Sequence, residues 1–231
     1  HLQHDCLRCL AVPCVGGVEG AHAALRYAHT SFATAYCQGR PYLHPSHLEL
    51  SLQALSMKNN TGLIGDIQAL GSLVSLLTLD LSKTAVNGSI TVFGTMEKLT
   101  QLILSKSSKV IGSLADFRDL SHLNKLYLDG TGVAGQLADL SHMRHLTFLN
   151  LADTKVNGEN GLNDLLDLIY HRKLRRIDVS GLDLTGLLPA ALTRMDMDLK
   201  VFGTGLCVER LDPDIHTVQF PLTLIATEEL L

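Results

Sequence analysis

From Leu52 onward the apolar positions follow one arrangement, L-x-x-L-x-L, which begins again at Leu76, Leu99, Leu123, Leu146 and Leu174. The steps between starts are 24, 23, 24, 23 and 28 residues, so one small structural unit recurs over more than half of the chain. The x-L-x-L-x portion alternates with period two, which predicts a short strand carrying its leucines on one face. After each of several strands a hydroxyl, a β-branched residue and a glycine recur: Thr84, Val86, Gly88; Thr131, Val133, Gly135; Thr154, Val156, Gly158. The glycine predicts a turn, followed by a looser return segment with its own apolar spacing, such as Phe93, Met96, Leu99 or Phe117, Leu120, Leu123. In the longer fifth unit Leu162, Leu165, Leu166 and Ile169 fall at i, i+3, i+4 and i+7, which predicts a true helix. The first and third units carry one extra residue before the glycine, in Leu63-Ile64-Gly65 and Val110-Ile111-Gly112, and this predicts a local bulge.

These spacings resemble the leucine-rich repeat family, and the G-x-I/L step after the strand resembles its plant-type subclass. The resemblance covers roughly residues 48–206, about six units. It implies an α/β fold: a right-handed solenoid with a parallel sheet on the concave face and mostly irregular or short helical return segments. Two departures are visible. The asparagine of the family pattern stands only at Asn60; elsewhere the position holds Thr84, Ser107, Thr131, Thr154 and Leu182. A hydroxyl can take over part of the amide's bridging of backbone groups, whereas Leu182 cannot, so the polar ladder is expected to stop there. The proline of the plant pattern survives only as Pro189.

Composition agrees with a repeated small unit. Of 231 residues 46% are apolar but only 5% aromatic, with no tryptophan and 46 leucines, so the chain buries a core and is not a disordered segment. No uncharged apolar run approaches 18 residues, so no membrane-spanning helix is expected. A net charge of −4 without blocks of like sign offers no basic face for nucleic acid. Nucleophile-elbow, phosphate-loop, zinc-protease and dinucleotide-binding patterns are all absent. His122 and His145 occupy the same place in adjacent units and are expected about 5 Å apart. Two solvated loop histidines outweigh a metal site or a pH sensor there.

The flanks differ from the repeats. Residues 1–47 are expected to form a cysteine-containing N-terminal cap, with one helix over the Ala-rich stretch Glu19 to Tyr36 that ends before Gly39. Residues 207–231, with Pro213, Pro221 and the apolar run Leu222–Ile225, are expected to fold back as the second cap. A first residue of histidine suggests a processed or truncated product. Cys6, Cys9, Cys14 and Cys37 admit disulfides, which the resemblance favours because ectodomains of this family often close that end with cystines. A zinc site built on Cys6-x-x-Cys9, and inert thiols, stay open. Cys207 reads as a small buried apolar residue. The Asn59-Asn60-Thr61 and Asn87-Gly88-Ser89 sequons, with the cysteines, lean slightly towards a secretory or organellar compartment.

What remains for function is the outward set of strand positions. These are Ala54, Ser56 and Lys58; Thr78, Asp80 and Ser82; Gln101, Ile103 and Ser105; Lys125, Tyr127 and Asp129; Phe148, Asn150 and Ala152; Arg176, Asp178 and Ser180. With strands near 4.8 Å apart, Ile103, Tyr127 and Phe148 form one apolar patch rimmed by Asp80, Lys125, Asp129 and Arg176. An aromatic centre in a charged rim has the composition of a protein-binding hot spot. Lys58, Lys83 and Lys106 line one border of the sheet and could meet an acidic partner, though charges at strand ends are usually only solvated. The expected function is a non-catalytic protein-interaction module with no cofactor and no metal, whose partner is another protein or a multi-subunit complex. The alternatives are a structural or accessory subunit held through its caps or convex face and, less favoured, a small metal or redox module at the N-terminal end.

Overall fold

The computed structural model describes residues 34–37, 40–43, 52–157, 161–170 and 174–208. A hairpin comes first, β1 (Thr34–Cys37) against β2 (Arg40–Leu43), antiparallel, with Cys37 opposite Arg40. Thr34–Tyr36 are therefore strand, where the alanine-rich stretch predicted the end of a helix. Thr34, Ala35 and Tyr36 lie opposite Leu43, Tyr42 and Pro41, so the chain doubles back as a hairpin where the helix was expected to end. The rest of the expected helix, Cys6, Cys9, Cys14, and most of both caps lie outside the described residues.

The predicted strands stack into one parallel sheet. In chain order they are β3 (Ala54–Ser56), β4 (Thr78–Asp80), β6 (Gln101–Ile103), β8 (Lys125–Tyr127), β10 (Phe148–Asn150) and β12 (Arg176–Asp178), followed by β14 (Asp198–Lys200). The strand centres Leu55, Leu79, Leu102, Leu126, Leu149, Ile177 and Leu199 lie side by side in register and are buried. Their neighbours along the chain face the other way and stay at least partly open, apart from Asp80. Six of these strands follow from the leucine pattern. The seventh does not, because Asp196 stands where the unit's first leucine would be.

Three features of the return path were not legible as such. The V-x-G step is itself a strand in four units, giving a second parallel sheet of β5 (Asn87–Ser89), β7 (Lys109–Ser113), β9 (Gly132–Gln136) and β11 (Lys155–Asn157). A further pair, β13 (Thr185–Leu188) and β15 (Gly205–Val208), forms a separate parallel sheet whose second strand crosses the expected boundary at residue 207. The extra residue of the first and third units does not bulge this sheet. It closes a turn before it, with the Leu63 amide donating to the Asn60 carbonyl and the Val110 amide to the Ser107 carbonyl. The glycines are needed for close approach. Gly135, at φ +116, would bring a Cβ within 2.9 Å of the Leu114 backbone nitrogen.

Each return segment then makes a short 3₁₀ turn, at Ile67–Leu70, Ile90–Thr95, Leu114–Phe117, Leu137–Leu140 and Ala190–Arg194. Asp66, Ser89 and Ser113 cap three of them, and Ser113 with Asp116 forms a capping box. The fifth unit instead carries α1 (Gly161–Tyr170), which buries Leu165, Leu168 and Ile169, while Leu162 and Leu166 pack at the edge of the core. Phe93 and Phe117 sit fully buried in the return column.

The polar ladder behaves differently from expectation. Thr84, Thr131 and Thr154 donate to the carbonyl three residues back in their own unit, as the amide of Asn60 does. Only Ser107 bridges units, donating to the Leu81 carbonyl at 2.9 Å. The ladder breaks at the buried Leu182 but resumes at Thr204, whose hydroxyl donates to the Val201 carbonyl.

Candidate functional site

Strand register sets the geometry of the concave face, because neighbouring side chains on it are those opposite one another across a parallel ladder. One row runs through Gln101, Lys125, Phe148, Arg176 and Asp198. The next runs through Asp80, Ile103, Tyr127, Asn150, Asp178 and Lys200. Ile103 thus flanks Tyr127 directly, whereas Phe148 lies diagonally from it with Lys125 as its row neighbour. The three apolar side chains are half-buried. The Lys125 ammonium lies 5.8 Å from the Tyr127 ring centre and 5.4 Å from that of Phe148, bridging the two rings. Each such contact is worth about 0.5–1 kcal/mol at an exposed site.

The acidic residues expected on the rim are not open charges. Asp80 is 9% exposed and Asp129 8%, because hydrogen bonds draw both carboxylates into the sheet. Asp80 accepts from the Ser82 amide and hydroxyl, and Lys58 approaches it at 3.9 Å. Asp129 accepts from the Ser105 hydroxyl at 2.5 Å and the Asn150 amide at 3.0 Å, while Lys106 stands 3.5 Å away. Lys106 also reaches Asp153 at 3.6 Å, so it joins two units. Arg176 is exposed and its Nε donates to Asp198 at 2.7 Å; Lys200 lies 3.9 Å from Asp178. Asp198 and Lys200 belong to the strand hidden by Asp196 and Phe202 follows it, so the leucine pattern could not place them on this face.

Other candidates resolve more simply. His122 and His145 stack with ring centres 6.2 Å apart, and among the described residues no group of three or more ligating side chains could hold a metal ion. Cys207 is exposed on β15, not buried: the strand turns Leu206 towards the core and its neighbour outward. Lys58 and Lys83 are exposed at the strand ends. An open polar recess of 420 Å³ lies at the C-terminal edge between Arg175, Asp196, Met197 and Asp198. No described helix is long and apolar enough to cross a membrane.

No family model matches the chain, and no curated protein does either. Solved structures do. The Arabidopsis receptor kinase HAESA, in complex with the peptide hormone IDA and the co-receptor SERK1, is 23% identical with a TM-score of 0.57; the match covers 68% of this chain and 26% of HAESA. The PEPR1–AtPEP1 structure is 26% identical with a TM-score of 0.51, over 68% of this chain and 24% of the other. An internalin from Listeria monocytogenes is 18% identical with a TM-score of 0.50, over 68% of this chain and 43% of the other. The chain therefore spans about a quarter of the length of the two plant structures and under half of the bacterial one. Strand order, repeat spacing and these matches agree: the chain is a leucine-rich repeat solenoid with the plant-type unit pattern.

Proposed function

We propose that the chain is a non-catalytic protein-interaction module that binds its partner on the concave sheet, around Ile103, Tyr127 and Phe148. The observation that carries this is the cluster itself: two aromatic rings bridged by one lysine, at positions where the core has no need of them. Side chains held on a stacked sheet lose little freedom on binding, so the contact keeps more of its gross energy. HAESA being solved with a peptide hormone and a co-receptor supports a protein ligand.

The test is affinity capture with cross-linking, repeated with the Tyr127→Ala/Phe148→Ala double variant. Each substitution is expected to weaken partner binding by about 1–3 kcal/mol, with the far-UV circular dichroism unchanged. Undiminished capture by the double variant would move the site elsewhere. A second reading, an accessory subunit held through its C-terminal end, draws on Leu187 and Phe202, which are 55% and 54% exposed. Cross-links concentrated on those residues, with Ile103, Tyr127 and Phe148 free, would favour it.

A further inference from the structure

The concave face neutralises its own charges with one exception. Its outward strand positions carry four cations, Lys58, Lys125, Arg176 and Lys200, and three of them meet a carboxylate of the same face: Asp80, Asp198 and Asp178 respectively. The fourth carboxylate, Asp129, is taken by Lys106, Ser105 and Asn150. Among the described residues Lys125 has no acidic partner, although it is half-buried over two aromatic rings. Its surroundings supply further polar groups that no described residue occupies. Gln101 is its neighbour in the row, Tyr127 lies two residues along its own strand, and neither side chain makes a hydrogen bond among the described residues.

We infer that Lys125 is the specificity-determining residue of this face, receiving an Asp or Glu carboxylate from an extended acidic segment of the partner protein. This rests on the concave face being the docking site. The Lys125 ammonium supplies the charge, and the Gln101 amide and Tyr127 hydroxyl are the donors beside it. The apolar residues next to the partner's acid rest on Ile103 and Phe148. A carboxylate here replaces water on an ammonium already partly desolvated by the rings, which makes the pairing stronger than an exposed surface ion pair. A basic segment would instead meet an uncompensated cation, so the same residue rejects the opposite charge.

A displayed library of random dodecapeptides, selected against the whole chain, tests both layers separately. Wild type is expected to enrich sequences with Asp or Glu beside Leu, Ile or Phe. Lys125→Glu is expected to enrich Lys or Arg at that place. For one synthesised peptide from the wild-type pool, Lys125→Gln should weaken binding tenfold or more, Lys125→Arg should restore most of it, and added salt should weaken it further. A wild-type pool without acidic enrichment, or one unchanged in Lys125→Glu, overturns the carboxylate while leaving the docking face standing. Peptides that bind the Tyr127→Ala/Phe148→Ala variant as well as wild type overturn the docking face, and the inference with it.

Discussion

At the scale of single residues, the structure depends on a left-handed position that recurs just after each strand of the main sheet. Asn59, Lys83, Lys106, Gly130, Asp153, Gly181 and Gly203 follow successive strands at the same place, all with φ between 54° and 74°. There the chain turns off the sheet while its amide still donates to the next unit, as Lys83 does to the Ser105 carbonyl at 2.7 Å. Left-handed backbone costs a side-chain-bearing residue about 1–2 kcal/mol, and glycine's extra freedom when unfolded offsets part of the relief. Lys83 is exposed and makes no ion pair among the described residues, so Lys83→Gly is expected to stabilise by up to about 1 kcal/mol in urea unfolding. Gly135→Ala is the converse. Strain at φ +116 and the approach to the Leu114 backbone should destabilise by about 2 kcal/mol or more, and an unchanged urea midpoint would refute the requirement. This turn position was invisible in the sequence, because lysine, asparagine, aspartate and glycine share no hydropathy signal. The outward placement of Tyr127 and Phe148 was legible from alternation alone. The burial of Asp80 and Asp129 was not, since it depends on which hydroxyls and amides the units bring beside them.

At the scale of elements, legibility followed how strictly burial repeats. Six strands were readable because three leucine places per unit must all face the core. The second sheet was not, because its strands pair through backbone while glycine and small polar residues occupy them. The fifth unit's helix was readable from its apolar stripe, and it brings a charge conflict. The Asp164 carboxyl is held above its ordinary value of 3.8, first by partial burial and then by the charges of Asp167 and Asp139. A raised carboxylate value means that the folded state holds the proton more tightly than the unfolded state. The group therefore favours the fold when protonated, and this contribution is lost as pH rises from 3.8 through the raised value. At neutral pH Asp164 opposes folding. Asp164→Asn is accordingly expected to raise the urea midpoint at pH 7 more than at pH 3. A larger gain at pH 3 would reverse the assignment.

At the scale of the whole molecule, each described strand pairs only with those of the neighbouring units. Strand β6 pairs with β4 and β8 alone, and the second sheet and the return column repeat that adjacency. Stability in such an array is a sum of unit terms and interface terms, so damage at one interface divides the array instead of weakening it evenly. Phe117 is the place to test this, being fully buried in the third return segment, between Phe93 one unit before and Leu140 one unit after. Phe117→Ala removes core contacts worth about 3–5 kcal/mol at this kind of site. Three strands of the main sheet, β3, β4 and β6, lie on one side of it, and β8, β10, β12 and β14 lie on the other. Amide exchange in the variant should therefore break into two blocks, with the shift between β6 and β8 and different protection on either side. If exchange rises by the same factor from β3 to β14, the array unfolds as one cooperative body. In that case the rigid presentation of Ile103, Tyr127 and Phe148 comes from the whole solenoid and not from the few units that carry them.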